Sequence, residues 1–351
     1  MYSETDLQDA VAAGAISAEA ARSLRAHVSA ARATPVTDEE SFRLVTSFND
    51  IFVTIAAVLL LVAMGGIGQA IAPGVGGVLV AAAAWAMAEF FTRKRRMALP
   101  SIVLLLAFVG GIVAAPLEFV SDALPDPEND RIVGLIFTGI FIAAAVGAWF
   151  HWRRFKVPIT VAAGAGAVAA TAIALILTAI GPQPGMDAEE LVMPLVFVAG
   201  LAMFAYAMRW DISDRARETR RSDVAFWLHL LAAPMIAHPL FNWLGIIDGD
   251  NIGAGSAAGV LLIYVAMGMV ALAVDRRALL VSALAYVLIA LTWLFDEFGA
   301  VELNVALTAL VIGSALLTLS AFWTPIRAAL VGQLPGSVQG RLPLAGRAVP
   351  A

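Results

Sequence analysis

The sequence predicts an all-α fold: a polytopic transmembrane bundle of about ten helices with a short N-terminal helical hairpin. Three observations carry this. Charged residues make up 14% of the chain and hydrophobic ones 61%, where a soluble globular domain carries about 25% charged. The apolar runs are long, rich in Ala, Leu, Gly and Ile, and lack period-2 alternation, so they read as helices and not as barrel strands. When the runs are threaded alternately across a bilayer, 21 of the 22 Lys and Arg fall on one side, as the positive-inside rule requires.

Residues 1–49 form a polar region. Its start, MYSETDLQDA, is acidic and has no short apolar core, so no cleavable signal peptide is expected and the first span acts as its own insertion signal. Leu7, Val11 and Ala12 make a short helical stripe that Gly14 stops. Ser17 then caps a second helix bearing Ala20, Leu24, His27 and Val28 on one face. Thr37-Asp-Glu-Glu40 is a capping-box pattern that starts a helix leading into span one. So small a unit cannot bury a large core. It is expected to pack on a cytoplasmic partner, on a second copy, or on the basic turns.

The membrane region, 50–324, divides into apolar spans at about 51–72, 74–91, 98–118, 132–150, 157–180, 191–209, 224–245, 254–274, 278–295 and 302–323. Pro73 is nearly the whole turn between the first two. Only Asp275, Arg276 and Arg277 separate the eighth from the ninth. The tail, 325–351, is rich in Pro and Gly, lacks a periodic stripe and is expected to be disordered.

The charges set the orientation. Basic residues flank the chain start and the turns near 93–96, 153–156, 209–221, 276–277 and 327–347; Arg131 is the exception. Both termini are therefore expected in the cytoplasm. The opposite loops are acidic, with Asp122, Asp126, Glu128 and Asp130 in one and Asp187, Glu189 and Glu190 in the next. Either this face concentrates cations, or its loops simply lack the residues that oppose translocation. Arginine pairs open four turns, RRMALP, RRFKVP, RRSDVA and RRALLV, at spacings of 58, 67 and 56 residues. The repeating unit is one helical hairpin with a basic turn. These turns suit anionic lipid better than nucleic acid.

The seventh span, FWLHLLAAPMIAHPLFNW over 226–243, is the candidate site. It holds His229, His238, Pro234, Pro239 and Asn242 in an apolar run. Polar groups at membrane depth are costly and face protein or water. The prolines leave the carbonyls of Leu230 and Met235 without helical donors. His238 and Asn242 are four apart and share a face. His229 lies nine residues before His238, on the opposite face and toward the cytoplasmic end, where it is expected to reach the interface. Two uses suit His238 and Asn242: a wet polar pocket, or hydrogen bonds to neighbouring helices. Gln69, among glycines near the outer end of span one, either joins such a cavity or reaches the headgroups. Glu89 and Arg93 are set for an i,i+4 ion pair that anchors span two. Small residues at Ala162, Gly166, Ala170 and Ala174, and at Gly255 and Gly259, predict close helix approach. Trp149, Trp152, Trp210, Trp227, Trp243, Trp293 and Trp323 lie near span ends, as interfacial anchors do.

Phosphate-binding glycine loops, nucleophile elbows and HExxH are absent from the sequence, and there is no cysteine. No catalytic set, cofactor or metal is expected. The stretch LQDAVAAGAISAEAARSLRAHV, 7–28, resembles the start of the DUF2157-type bacterial membrane proteins: a short helix, Gly-x-Ile-Ser, then a helix with small residues and Leu. That resemblance implies the bacterial inner membrane and many spans, and it implies no activity. Two functions follow as expectations. One is a small-solute or ion permease with a polar site in span seven. The alternative is a non-transporting scaffold or sensor that uses residues 1–49 to contact a cytoplasmic partner.

Overall fold

The structure is a computed structural model that describes residues 4–31, 48–123, 130–181, 188–217, 219–245, 253–297 and 304–344. The capping-box stretch 37–40, most of each acidic loop and residues 345–351 lie outside the described residues. The described secondary structure is entirely helical, and the chain divides into two units, Met1–Phe42 and Arg43–Ala351.

In the first unit, α1 (Glu4–Ala12) and α2 (Ala18–Ala31) form a hairpin. Gly14 makes the reversal with φ of 72°, a left-handed conformation that costs a residue without Cβ little. The Ser17 hydroxyl accepts the Ala20 amide at 3.0 Å, satisfying a donor that the first turn of α2 leaves open. Ala21, on α2, is buried.

In the second unit each of the ten apolar segments folds as a helix. These are α3 (Phe48–Ile71), α4 (Val75–Ala88), α5 (Ala98–Ala123), α6 (Asp130–Phe155), α7 (Ile159–Ile180), α8 (Ala188–Ser213), α9 (Arg220–Trp243), α10 (Ala254–Val274), α11 (Ala278–Glu297) and α12 (Asn304–Ala321). The described residues fit the polytopic helical bundle that the sequence predicts. Among the described residues, eight helices are long and apolar enough to cross on their own. The helix α11, Ala278–Glu297, is apolar from Leu279 to Phe295. The helix α12 turns by 73° into α13 (Trp323–Gly332), and the two together are long and apolar enough for a further span.

The expected disorder of the tail is also corrected for residues 325–344. They continue α13, form the short α14 (Gly336–Gln339) and bury Arg327, Val331 and Leu342. The tail lacked a helical stripe because its anchors are one arginine and two aliphatic residues separated by turns, a pattern with no single period.

Consecutive helices from α3 to α9 and from α10 to α12 pack against one another, and α9 lies at the centre, against α7, α8 and α11. Half of its apolar window is buried, against 17–33% in the other spans. One side of α9 joins α7 and α8 through Ala162, Met203, Ala207, Leu228 and Ala232. The other joins α10 and α11 through Ala237, Phe241, Val260, Ala283 and Val287. The helix runs on through Pro234 and Pro239.

The glycines that approach a neighbouring backbone most closely lie outside the predicted small-residue faces. A Cβ on Gly77 would lie 2.5 Å from the Ala115 amide nitrogen, and one on Gly68 would lie 2.5 Å from Gly76 Cα, so α3, α4 and α5 touch backbone to backbone. Gly166 instead faces the end of the Leu231 side chain, and a Cβ on Gly255 would meet nothing within 4 Å. Spacing by fours puts small residues on one face, but a second helix must also present one at the same level.

Candidate functional site at the basic end of the bundle

The turns that carry the arginine pairs share a backbone device. Arg96, Lys156, Arg217 and Asp275 all have φ between 53° and 58°, one in each turn. Such a left-handed residue ends a helix and reverses the chain. Asp275 does this for α10: its φ is 58° and ψ 49°, and the Arg276 amide donates to Ala271 O at 2.9 Å. Aspartate tolerates this conformation better than most residues.

That reversal leaves Arg276 only 1% exposed. Its Nη2 donates to Asp211 Oδ1 on α8 at 2.5 Å and to the Ser222 carbonyl on α9 at 3.1 Å. The other Asp211 oxygen receives His229 Nε2 at 2.9 Å. Asp211 and His229 are wholly buried. The carboxylate needs a donor at Nε2, so the Nε2 proton is assigned from the bond it makes. His229 Nδ1 has no hydrogen-bond partner among the described residues, and the ring meets Phe204 edge-on at 5.1 Å. A charge taken this far out of water persists only when paired and hydrogen-bonded, which the guanidinium and the imidazole together accomplish.

A second ionic group lies at the same end. Asp275 Oδ2 receives Arg217 Nη1 at 2.8 Å, and Oδ1 receives the Trp323 indole N–H at 2.7 Å. Arg217 also donates through Nη2 to Asp275 O at 2.9 Å. Arg327, 1% exposed, spends its donors on the Leu272, Pro343 and Leu344 carbonyls. Arg215 donates to Leu342 O at 2.8 Å and Gln339 O at 3.2 Å. The α8–α9 turn is fixed in its turn by Asp214, whose Oδ2 accepts the Thr219 amide at 2.9 Å and hydroxyl at 2.7 Å. Two loops and the C-terminal segment are thus stitched into one polar layer.

The residues predicted as a pocket are not brought together. His238 shares a 2.7 Å hydrogen bond with the Tyr286 hydroxyl of α11. Asn242 Nδ2 donates to Glu189 Oε1 of α8 at 2.6 Å. His238 and Asn242 are therefore engaged on different sides of α9. Gln69 Nε2 donates to Glu118 Oε1 on α5 at 3.1 Å, while Glu118 Oε2 takes the Gly74 amide. The expectation that His229 reaches the interface is corrected, since it is held inside by Asp211. Glu89 does pair with Arg93, at 3.2 Å, but its closer partner is Arg154 on α6, at 2.6 and 2.9 Å. Among the expected interfacial tryptophans, Trp323 is 2% exposed and belongs to the ionic layer, whereas Trp149 and Trp243 are about half exposed.

Asp211, Arg276 and Arg327 escaped the sequence reading because charged residues at a turn read as solvated flanks of the spans. The one available signal was AspArgArg with no loop residues between two apolar spans. His151 escaped as well. It is fully buried, with Nδ1 3.2 Å from Thr160 Oγ1 and its ring among Trp85, Phe108 and Phe155. Among the described residues, no group of three or more His, Asp or Glu is disposed to hold a metal ion.

Comparison with known protein families, curated proteins and solved structures finds no match for this chain.

Proposed function

We propose that this integral membrane protein is a non-transporting scaffold or sensor. In this reading it sits in a bacterial cytoplasmic membrane with both termini in the cytoplasm. Residues 1–49 are its contact with a cytoplasmic partner or a second copy. The observation that carries the reading is the use made of the polar side chains in α9. His229, His238 and Asn242 each bond a different partner, Asp211, Tyr286 and Glu189, and so tie α9 to its neighbours. Groups consumed in interhelical bonds define packing and are not left to bind a solute. The ionic layer supports the same reading, because it joins two turns and the C-terminal segment into a fixed platform on the basic side. The orientation rests on the positive-inside distribution of the basic residues.

A permease is the second reading, favoured by one observation. His238 and Asn242 are only partly buried and lie in the half of α9 remote from the basic turns. Cysteine accessibility separates the two. The chain has no cysteine, so a His238→Cys variant reports on that position alone. It is treated in membranes with a small water-soluble thiol reagent, beside a control cysteine in the loop near residue 249. A scaffold leaves position 238 unlabelled while the control reacts. Labelling equal to the control makes position 238 part of a water-filled path and replaces the scaffold by the permease.

A further inference from the structure

Between α6, α7 and α8 the bundle carries a groove of about 730 Å³. It exists because α7 packs mainly on α6 and α8 mainly on α9, which leaves the seam between α7 and α8 open. Small side chains widen it: Gly164, Ala165 and Ala169 on α7 face Ala199 and Ala202 on α8. The walls are apolar, and at one end stand Trp149, Trp152 and Trp210. There the groove meets a second hollow of about 280 Å³, lined by Tyr206, Arg209, Trp210, Ser213 and Arg221. Tyr206 and Trp210 line both spaces.

Arg209 and Arg221 differ from the other arginines of this end. Arg215, Arg217, Arg276 and Arg327 are committed to carboxylates or carbonyls. Arg209 and Arg221 are exposed, and neither guanidinium makes a hydrogen bond or ion pair with any described residue. A long apolar channel that ends, past a tryptophan rim, on two free guanidiniums is complementary to an amphiphile with an anionic head. Guanidinium binds a phosphodiester through paired N–H donors. Among the described residues, no carboxylate lines the hollow to receive an ammonium or choline group.

We propose that this groove is a specific site for one anionic phospholipid of the surrounding bilayer. An acyl chain lies between α7 and α8, and the phosphodiester rests on Arg209 and Arg221.

The test uses the full-length chain purified in detergent and titrated with palmitoyl-oleoyl phosphatidylglycerol or the matching phosphatidylcholine, with bound lipid counted by native mass spectrometry. The expected result is one phosphatidylglycerol retained in preference to phosphatidylcholine. The exposed pair Arg209→Ala/Arg221→Ala is expected to weaken that lipid about thirtyfold, given the contribution of a basic residue near an anionic headgroup. Lys94→Ala/Arg95→Ala, which removes the same charge at another basic turn, leaves retention unchanged. Ala202→Leu, which narrows the groove without touching the arginines, weakens retention too. Equal retention of the two lipids overturns the site. So does equal loss in both charge variants, which indicates diffuse attraction to the basic face, or full retention in Ala202→Leu, which leaves the acyl chain elsewhere. A protein dimer that Ala202→Leu converts to monomer, with no lipid preference, assigns the groove to a second copy and overturns it as well.

Discussion

At the scale of single residues, the Asp211–Arg276 pair is the most consequential interaction in the bundle, because both partners are almost fully excluded from solvent. Removing one partner leaves the other as an uncompensated buried charge, which costs about 3–5 kcal/mol, whereas replacing both with apolar residues is often near neutral. Arg276→Met is therefore expected to lower the thermal midpoint of the detergent-solubilised protein sharply, and Asp211→Leu/His229→Leu/Arg276→Met, which also removes the imidazole that Asp211 bonds, to regain most of the loss. A single variant as stable as the parent would show that the pair is not shielded as described. The His238–Tyr286 bond belongs to a weaker class. A cycle of His238→Ala, Tyr286→Phe and the double variant should return a coupling of about 0.6–1.7 kcal/mol, the range found for hydrogen bonds between membrane helices. Additive losses would mean that the two side chains do not act together.

At the scale of elements, α13 is the piece with the largest structural effect for its length. It leaves α12 at 73°, so it lies across the end of the bundle and brings Trp323 and Arg327 to Asp275 and the Leu272 carbonyl. A chain ending at residue 322 retains every apolar segment of α3 to α12, and insertion is expected to be unaffected. The buried acceptors at Asp275 and Leu272 lose donors, and Arg215 loses the Leu342 and Gln339 carbonyls. The α8–α9 turn is then expected to become a site of rapid cleavage by added protease, while the full chain is cut there slowly. Equal cleavage of the two would sever the tail from the polar layer. The helices that carry α13 were visible from hydropathy. The bend was not, since hydropathy along the chain cannot separate a straight span from a broken one.

At the scale of the whole molecule, the distribution of basic residues makes a topology prediction that is independent of packing. Reporter fusions after residues 49, 94 and 218 should report the cytoplasm, and fusions near 126, 187 and 249 the opposite side. Deleting residues 2–40 should leave this pattern and membrane insertion unchanged, because α3 carries its own apolar signal and Arg43 remains beside it. Two adjacent loops on the same side would break the alternation of the helical hairpins. Loss of insertion in the deleted chain would give the N-terminal hairpin a part in assembly.

What the sequence by itself determined is the class of the molecule, the position of each apolar helix, and the helical hairpin ahead of them with its Gly14 turn and Ser17 cap. These follow from local quantities: apolar run length against bilayer thickness, left-handed tolerance at one glycine, and an unsatisfied amide at a helix start. The tertiary structure alone decided which polar groups meet. His229 and Arg276 are 47 positions apart in the chain, yet they converge on Asp211 because α8, α9 and the α10–α11 turn pack together. His238 and Asn242, four apart on one helix, part company toward α11 and α8. Spacing along a helix determines which face a side chain leaves from, but its partner depends on which neighbour is packed there and at what height. In a bundle whose helices are all apolar, that choice is made by small residues and buried charges acting between helices, and no single helix carries the information alone.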